Sequence, residues 1–315
     1  MDELDLKILR SLILERAVSP STPSVKLSLR AIAARLGADD MTVSYRYKKL
    51  QGSGCMPVWS LLVNPTFFGY RVTDLMIDAQ PESGKPDMIR KLRLIHEITG
   101  IVNFFGRGLR IFMIYNGDES RSRTVELISR ITNAEGITAC RMPLPKSENR
   151  NLSESDVAII RALSNDARKS STLVAKELGL SAKTVRKRVD RLRNESIILP
   201  FPIIDMASIP GLIPLYLSYV YSSTESKSSV DREIASHFDL CYITGSFSDP
   251  NTGGVILGAS AMSDVPKFLD WTKSQRGVAS ARVDIPTETF MFPQKLIEMI
   301  ELKSEKVALQ ENALA

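Results

Sequence analysis

The segment SAKTVRKRVDRLR, residues 181–193, sets six cations against one acid. Lys183, Arg186, Lys187, Arg188, Arg191 and Arg193 carry the positive charge, and Asp190 is the lone carboxylate. Lysines at that density suit phosphates, and an arginine fork can hold the O6 and N7 of guanine at once. The other residues with chemistry to offer are His96 and His237, the two histidines of the chain, 141 positions apart near the ends of two corresponding expected helices. A histidine in the last turn of a helix is favoured by the dipole, which explains both without a catalytic role. There is no phosphate-binding G-x-x-x-x-G-K, no G-x-S-x-G and no His/Cys/carboxylate set at ligand spacing. Neither catalytic residues, a metal nor a cofactor is therefore expected.

A formal net charge of +5 and a pI near 9.0 suit an anionic partner. The 315 residues and 43% hydrophobic content suit two or more globular domains. Cys55, Cys140 and Cys241 are odd in number and widely separated, so no disulfide framework or zinc site is expected and a reducing cytoplasm is the simple reading. The opening MDELDLKILR is acidic where a secretory leader would be basic, and IPGLIPLYLSYVY (209–221) is too short and proline-broken to span a bilayer. No membrane partner is expected.

The elements that must position the basic segment emerge from an internal repeat. LDLKILRSL (4–12) aligns with SDVAIIRAL (155–163), pairing Asp5 with Asp156 and Ile8, Leu9 and Leu12 with Ile159, Ile160 and Leu163. LRAIAARLGADDMTVSYRYKKL (29–50) aligns with STLVAKELGLSAKTVRKRVDRL (171–192), pairing Ala33/Ala175, Leu36/Leu178, Gly37/Gly179, Thr42/Thr184, Val43/Val185, Arg46/Arg188 and Leu50/Leu192. The first offset is 151 and the second 142; the nine extra residues of the first copy fall in the Pro/Ser-rich ERAVSPSTPSVK.

Each copy reads as three short helices. Ser153, Ser170 or Ser171, and Ser181 are N-caps, Gly179 ends the middle helix, and Asp39 replaces Ser181 in the first copy. Val185, Val189 and Leu192 recur at i, i+4, i+7, as do Val43, Tyr47 and Leu50, so both stripes should be buried and the cations left outside. Two helices around a glycine turn, the second polar near its start, is the helix-turn-helix that enters the DNA major groove. Expected DNA contacts are Lys183, Thr184, Arg186, Lys187, Arg188 and Arg191, with Thr42, Ser44, Tyr45, Arg46 and Lys49 as a weaker second set near Asp40.

Extended segments at 55–70 and 197–212 read as a two-stranded wing in each copy. Next come strand 71–79, helix 86–97, strands 101–105 and 109–115, helix 121–133 and strand 137–142, matched by strand 214–223, helix 229–237, strands 240–246 and 254–261, helix 265–275 and strand 278–286. The expected class is α+β: two winged helix-turn-helix domains (1–64 and 151–205), each followed by a ferredoxin-like βαββαβ sandwich (65–146 and 206–293), then a helical extension (294–315) able to pack on either half.

LSESDVAIIRALSNDARKSSTLVAKELGLSAKTVRKRVDRL, ESIILPF, YITGSF and GVASARVDIPTETF in the second half resemble the leucine-responsive/asparagine (Lrp/AsnC) regulators. LDLKILRSL, AIAARLGADDMTVSYRYKKL and VWSLLVNPTFFGY in the first half resemble the same family's opening helix, reader and wing. The resemblance implies a transcriptional regulator of double-stranded DNA, with a winged reader joined to a dimerising sandwich, a small-molecule effector that is commonly an amino acid, and a homo-oligomer. Family members carry one unit per chain, so two units imply a covalent pseudo-dimer on an asymmetric site. The family's effector region corresponds here to FFGRGLR and TGSFSDPNTGG, and neither is a clean match to its Gly-Asp element. Siroheme decarboxylases resemble the same fold and use His and Arg, so a decarboxylase-like enzyme or tetrapyrrole binder, with His96 and His237 in question, is the alternative.

Overall fold

The computed structural model describes residues 4–5, 7–9, 11–12, 28–52, 58–142, 144–147, 151–164, 166–203, 211–238, 241–243 and 251–300. The Pro/Ser-rich loop, much of TGSFSDPNTGG, Cys55 and the end of the helical extension lie outside the described residues.

Local chemistry delimits the helices. Residues within 4–12 are helical (α1); α2 (Leu29–Leu36) is capped by the Ser28 hydroxyl and stopped by Gly37 at φ 61°. In α3 (Asp40–Gly52) the Asp39 carboxylate accepts from the Thr42 N–H at 2.9 Å. The second triad comprises α6 (Glu154–Leu163), α7 (Ser171–Leu178) and α8 (Ala182–Asn194), capped by Ser153, Ser170 and Ser181. Gly179, φ 66°, gives α7 its left-handed exit, a conformation a side chain would strain.

Among the described residues, one ladder shared between the halves stands where a pair of two-stranded wings was expected. β1 (Val58–Val63) and β6 (Ile198–Ile203) are single strands that pair antiparallel with each other, Val58 opposite Ile203 and Val63 opposite Ile198. One strand alone would leave a row of unpaired backbone groups, and pairing across the halves satisfies them. β1 also inserts into the second triad: Trp59, Leu61 and Val63 share a core with Ile159, Ile160, Val174, Val185 and Leu192. Arg168 lies 4.0 Å from the Trp59 ring, and the Ala167 N–H donates to the Trp59 carbonyl. The first triad shares its core (Ile8, Leu12, Ile32, Val43, Leu50) with Leu212 and Ile256 of the second half. Each helical triad is therefore braced by the opposite half.

Asn64, fully buried, locks this crossing. Its amide donates to the carbonyls of Pro145 (2.8 Å) and Ser196 (2.7 Å), its Oδ1 accepts from the Thr66 N–H, and its backbone N–H donates to Ile197 O. Asn64→Ala is expected to destabilise the protein by about 1–3 kcal/mol, the cost of losing the side-chain hydrogen bonds to Pro145, Ser196 and Thr66, read as a lower midpoint in urea at unchanged slope.

Both sandwiches have the expected element order. The first runs β2 (Arg71–Asp78), α4 (Lys85–Leu92), β3 (Ile98–Phe104), β4 (Gly108–Tyr115), α5 (Asp118–Thr132) and β5 (Ile137–Met142), with sheet order β3-β4-β2-β5. The second runs β7 (Ile213–Tyr221), α9 (Lys227–His237), β8 (Cys241–Ile243), β9 (Thr252–Ala259), α10 (Asp264–Ser274) and β10 (Val278–Asp284), with sheet order β10-β7-β9-β8. Leu75, Ile77, Ile111 and Met113 meet Met88, Leu92 and Ile128 of the helices; Leu215, Leu217, Val255 and Leu257 meet Val230 and Ile234. In each sandwich alternate strand residues face the helices, as the period-2 pattern requires.

Two boundaries differ from expectation because of contacts distant in sequence. The final strand is followed by another, β11 (Pro286–Met291), which leaves the second sheet and extends the first along β3, Met291 opposite Gly100. Helix α4 stops at Leu92 instead of 97, and Lys295 of the terminal helix 293–300 (α11) donates to the carbonyls of Arg93, Ile95 and Ile98 at 2.7 to 2.9 Å. That lysine satisfies carbonyls a continuing helix would have used. The extension thus packs on the first half, while Leu296 and Ile300 enter the core of the second triad.

Candidate nucleic-acid interface

In α8 the buried stripe is Val185, Val189 and Leu192, as the spacing implies. Opposite it, Lys183, Arg186, Lys187, Asp190 and Asn194 are exposed along one face at i, i+3, i+4, i+7, i+11. Lys183, Arg186 and Lys187 fall in the first two turns, where a second helix of this motif meets base edges. Thr184 is half-buried; its N–H donates to the Ser181 Oγ and its hydroxyl lies 2.8 Å from the same atom, so it completes the cap.

Arg188 and Arg191 are placed differently from the exposed cations. Both are half-buried and converge on Asp156, which is 1% exposed: Arg188 Nη1 is 2.8 Å from Oδ1 and Arg191 Nη2 is 2.6 Å from Oδ2. Arg188 also donates to the Ser153 hydroxyl at 2.8 Å. The capping carboxylate of α6 therefore doubles as the anchor that orients α8. The first triad repeats the device, with Arg46 Nη1 3.1 Å from Asp5 Oδ1.

Burial alone would raise the Asp156 carboxyl, but hydrogen bonds from Arg188, Ser153 and Arg191 outweigh it and hold the group below the usual carboxylate value. The stabilisation this gives is complete above the unfolded pKa of about 3.9 and is lost as pH falls through the lower folded value. Thermal melts of the protein and Asp156→Asn should differ by a constant amount above about pH 4.5 and converge in stronger acid, where the folded carboxyl is itself neutral. Parallel curves over the whole range would remove Asp156 from this role.

The first triad presents another surface. On α3 the exposed residues include Met41, Thr42, Tyr45, Lys48 and Lys49, with Ser44 half-buried. Met41 is 81% exposed and Tyr45 71%, and in the repeat they stand where Lys183 and Lys187 stand in α8. Asp40 at the head of α3 lies 3.5 Å from Arg30, both exposed.

The two histidines do not share an environment. His237 ends α9 with its ring stacked on Trp271 at 3.6 Å, while His96 is in an exposed turn beyond α4. The hairpin GRGLR carries Lys85 beneath it, buried and donating to the carbonyls of Phe104, Gly106 and Gly108. Among the described residues no three His, Cys, Asp or Glu side chains gather as metal ligands, and no helix is long and apolar enough to cross a membrane. The residues that sequence reasoning passed over are Asp156 and Asp5 as anchors, Asn64 as the lock and Arg168 on Trp59.

Residues 152–193 match the AsnC-type helix-turn-helix domain. The HTH-type transcriptional regulator LysM of Saccharolobus solfataricus is 44% identical over 55 residues, 18% of this chain and 39% of that protein's length. Over the whole chain the fold is similar to that of the siroheme decarboxylase NirDL: TM-score 0.55 at 12% identity, covering 98% of this chain and 100% of the other. NirDL in complex with an iron-uroporphyrin III analogue superposes similarly, with TM-score 0.54 at 11% identity and the same coverage. At such identity the likeness is one of fold. Residues 152–193 are thus similar to the AsnC-type helix-turn-helix domain and to the corresponding part of a transcriptional regulator.

Proposed function

We propose that this chain is a sequence-specific transcriptional regulator of Lrp/AsnC type that binds double-stranded DNA in the cytoplasm, without catalysis, as a covalent pseudo-dimer. The observation that carries the reading is the exposed stripe of Lys183, Arg186 and Lys187 on α8, the third helix of the matched domain. Arg186 suits a guanine edge, and Lys183 and Lys187 suit phosphates. Arg188, Arg191 and Arg46 are assigned to positioning the readers, with Thr184 a cap that can also face the backbone of the duplex. Thr42, Ser44, Tyr45 and Lys49 form the second, less basic reader. The crossed packing of the readers and the β1–β6 ladder support the pseudo-dimer, because they reproduce within one chain a pairing of two units. The family resemblance further suggests an amino-acid effector and association of pseudo-dimers into a homo-oligomer.

Selection from a randomised duplex library tests the reading. An enriched, asymmetric site with half-sites about one helical turn or a multiple apart is expected. No enrichment at low salt, together with binding of siroheme, would favour the decarboxylase-like alternative, which the whole-chain fold likeness to NirDL keeps specific.

A further inference from the structure

We infer that the two readers recognise half-sites of different composition, with α3 reading thymine methyl groups through Met41 and Tyr45. The inference rests on the DNA-binding reading and deepens it. Along α8 the outward residues of the first two turns are Lys183, Arg186 and Lys187; at the corresponding places α3 has Met41, Ser44 and Tyr45. The exchange replaces three cations with a thioether, a hydroxyl and a phenol. Met41 and Tyr45 are among the most exposed large apolar side chains described, at 81% and 71%. Neither contributes to the core of its own triad, which is Ile8, Leu9, Leu12, Ile32, Ala33, Val43 and Leu50.

The chemistry of the groove selects the occupant. The C5 methyl of thymine is the apolar group on the floor of the major groove, while guanine offers only acceptors there and cytosine an amino donor. A flexible, polarizable methionine can follow a methyl of either strand, and a tyrosine ring can cover a second methyl while its hydroxyl remains in water. Asp40, at the start of α3, makes the same helix a poor ligand for a phosphate-dominated grip, despite its partner Arg30. Lys48 and Lys49 lie further along the helix and hold the flanking backbone. The half-site beneath α3 is thus rich in thymine, and that beneath α8 carries the guanine read by Arg186.

The test uses the selected duplex with deoxyuridine in place of thymidine in one half-site at a time, which removes methyl groups and leaves every hydrogen bond. In the half-site beneath α3 the affinity of the full chain should fall about four-fold per buried methyl, the equivalent of about 0.8 kcal/mol of apolar transfer. Deoxyuridine in the other half-site should have no effect. Met41→Ala with Tyr45→Ala should bind thymidine and deoxyuridine duplexes equally and keep the guanine preference of the other half. Both side chains are exposed, so the variant should retain the circular dichroism and melting of the parent. Selection of a site that is insensitive to deoxyuridine overturns this inference and leaves the DNA-binding reading standing; failure to select any site overturns both. Loss of self-association in the double variant, with deoxyuridine sensitivity unchanged, would assign the patch to contacts between copies of the chain and overturn the thymine assignment.

Discussion

Replacing Lys183, Arg186 and Lys187 together with alanine should lower affinity for the selected duplex by about 10²- to 10⁴-fold and leave the melting temperature almost unchanged. One bidentate arginine contributes about 1–3 kcal/mol of base discrimination, and each lysine neutralises a phosphate. None of the three has a core role, since the stripe that holds α8 is Val185, Val189 and Leu192. Lys48→Ala with Lys49→Ala should weaken binding less, because α3 carries fewer outward cations. Arg188→Ala should separate from the triple variant in kind: it removes ligands of Asp156 and Ser153, so melting falls along with affinity. A triple variant that binds like the parent would return the basic face to solvent.

The largest effect on stability is expected where the two sheets meet. Arg110 on β4 is 2% exposed; its Nε donates to Asp74 Oδ2 at 2.7 Å and a second guanidinium nitrogen reaches the same oxygen. The guanidinium carbon lies 4.4 Å from the Tyr216 ring of β7 and 4.8 Å from Phe112, and Phe104 packs on Tyr216. The pair therefore joins the sandwiches as well as two strands of one sheet. Arg110→Ala should cost about 3–5 kcal/mol, most of it from the carboxylate left buried without its partner. The double replacement Arg110→Met with Asp74→Leu should recover much of the loss, because a buried pair is often matched by apolar groups of similar volume. Urea unfolding of the single and double variants measures both; equal losses would mean that the pair stabilises the sheets beyond its own desolvation.

Much of the architecture was legible because it depends on local patterning. The caps Ser153, Ser170, Ser181 and Asp39 and the glycine exits are short-range features, and both βαββαβ runs follow from alternation and helical periodicity. What pairs with what across the chain was not legible. β1 and β6 each read as part of a local wing, and only the assembled chain shows that each completes the other. The switch of β11 to the first sheet and the early end of α4 at Lys295 depend likewise on residues about 200 positions away. At the interface, the expected stripe was right for Val185, Val189 and Leu192, and the basic segment divides into outward cations and inward anchors. That division had a signal in the repeat: Asp5/Asp156 and Arg46/Arg188 recur together, as an ion pair present in both triads would.

The most direct test of DNA reading by α8 is the salt dependence of duplex binding, measured for the parent chain and for Lys187→Ala. Log affinity should fall linearly with log salt at about 0.9 per phosphate contact, and the variant's slope should be shallower by about one contact. Identical slopes for the two proteins, or no duplex binding even at low salt, would contradict it.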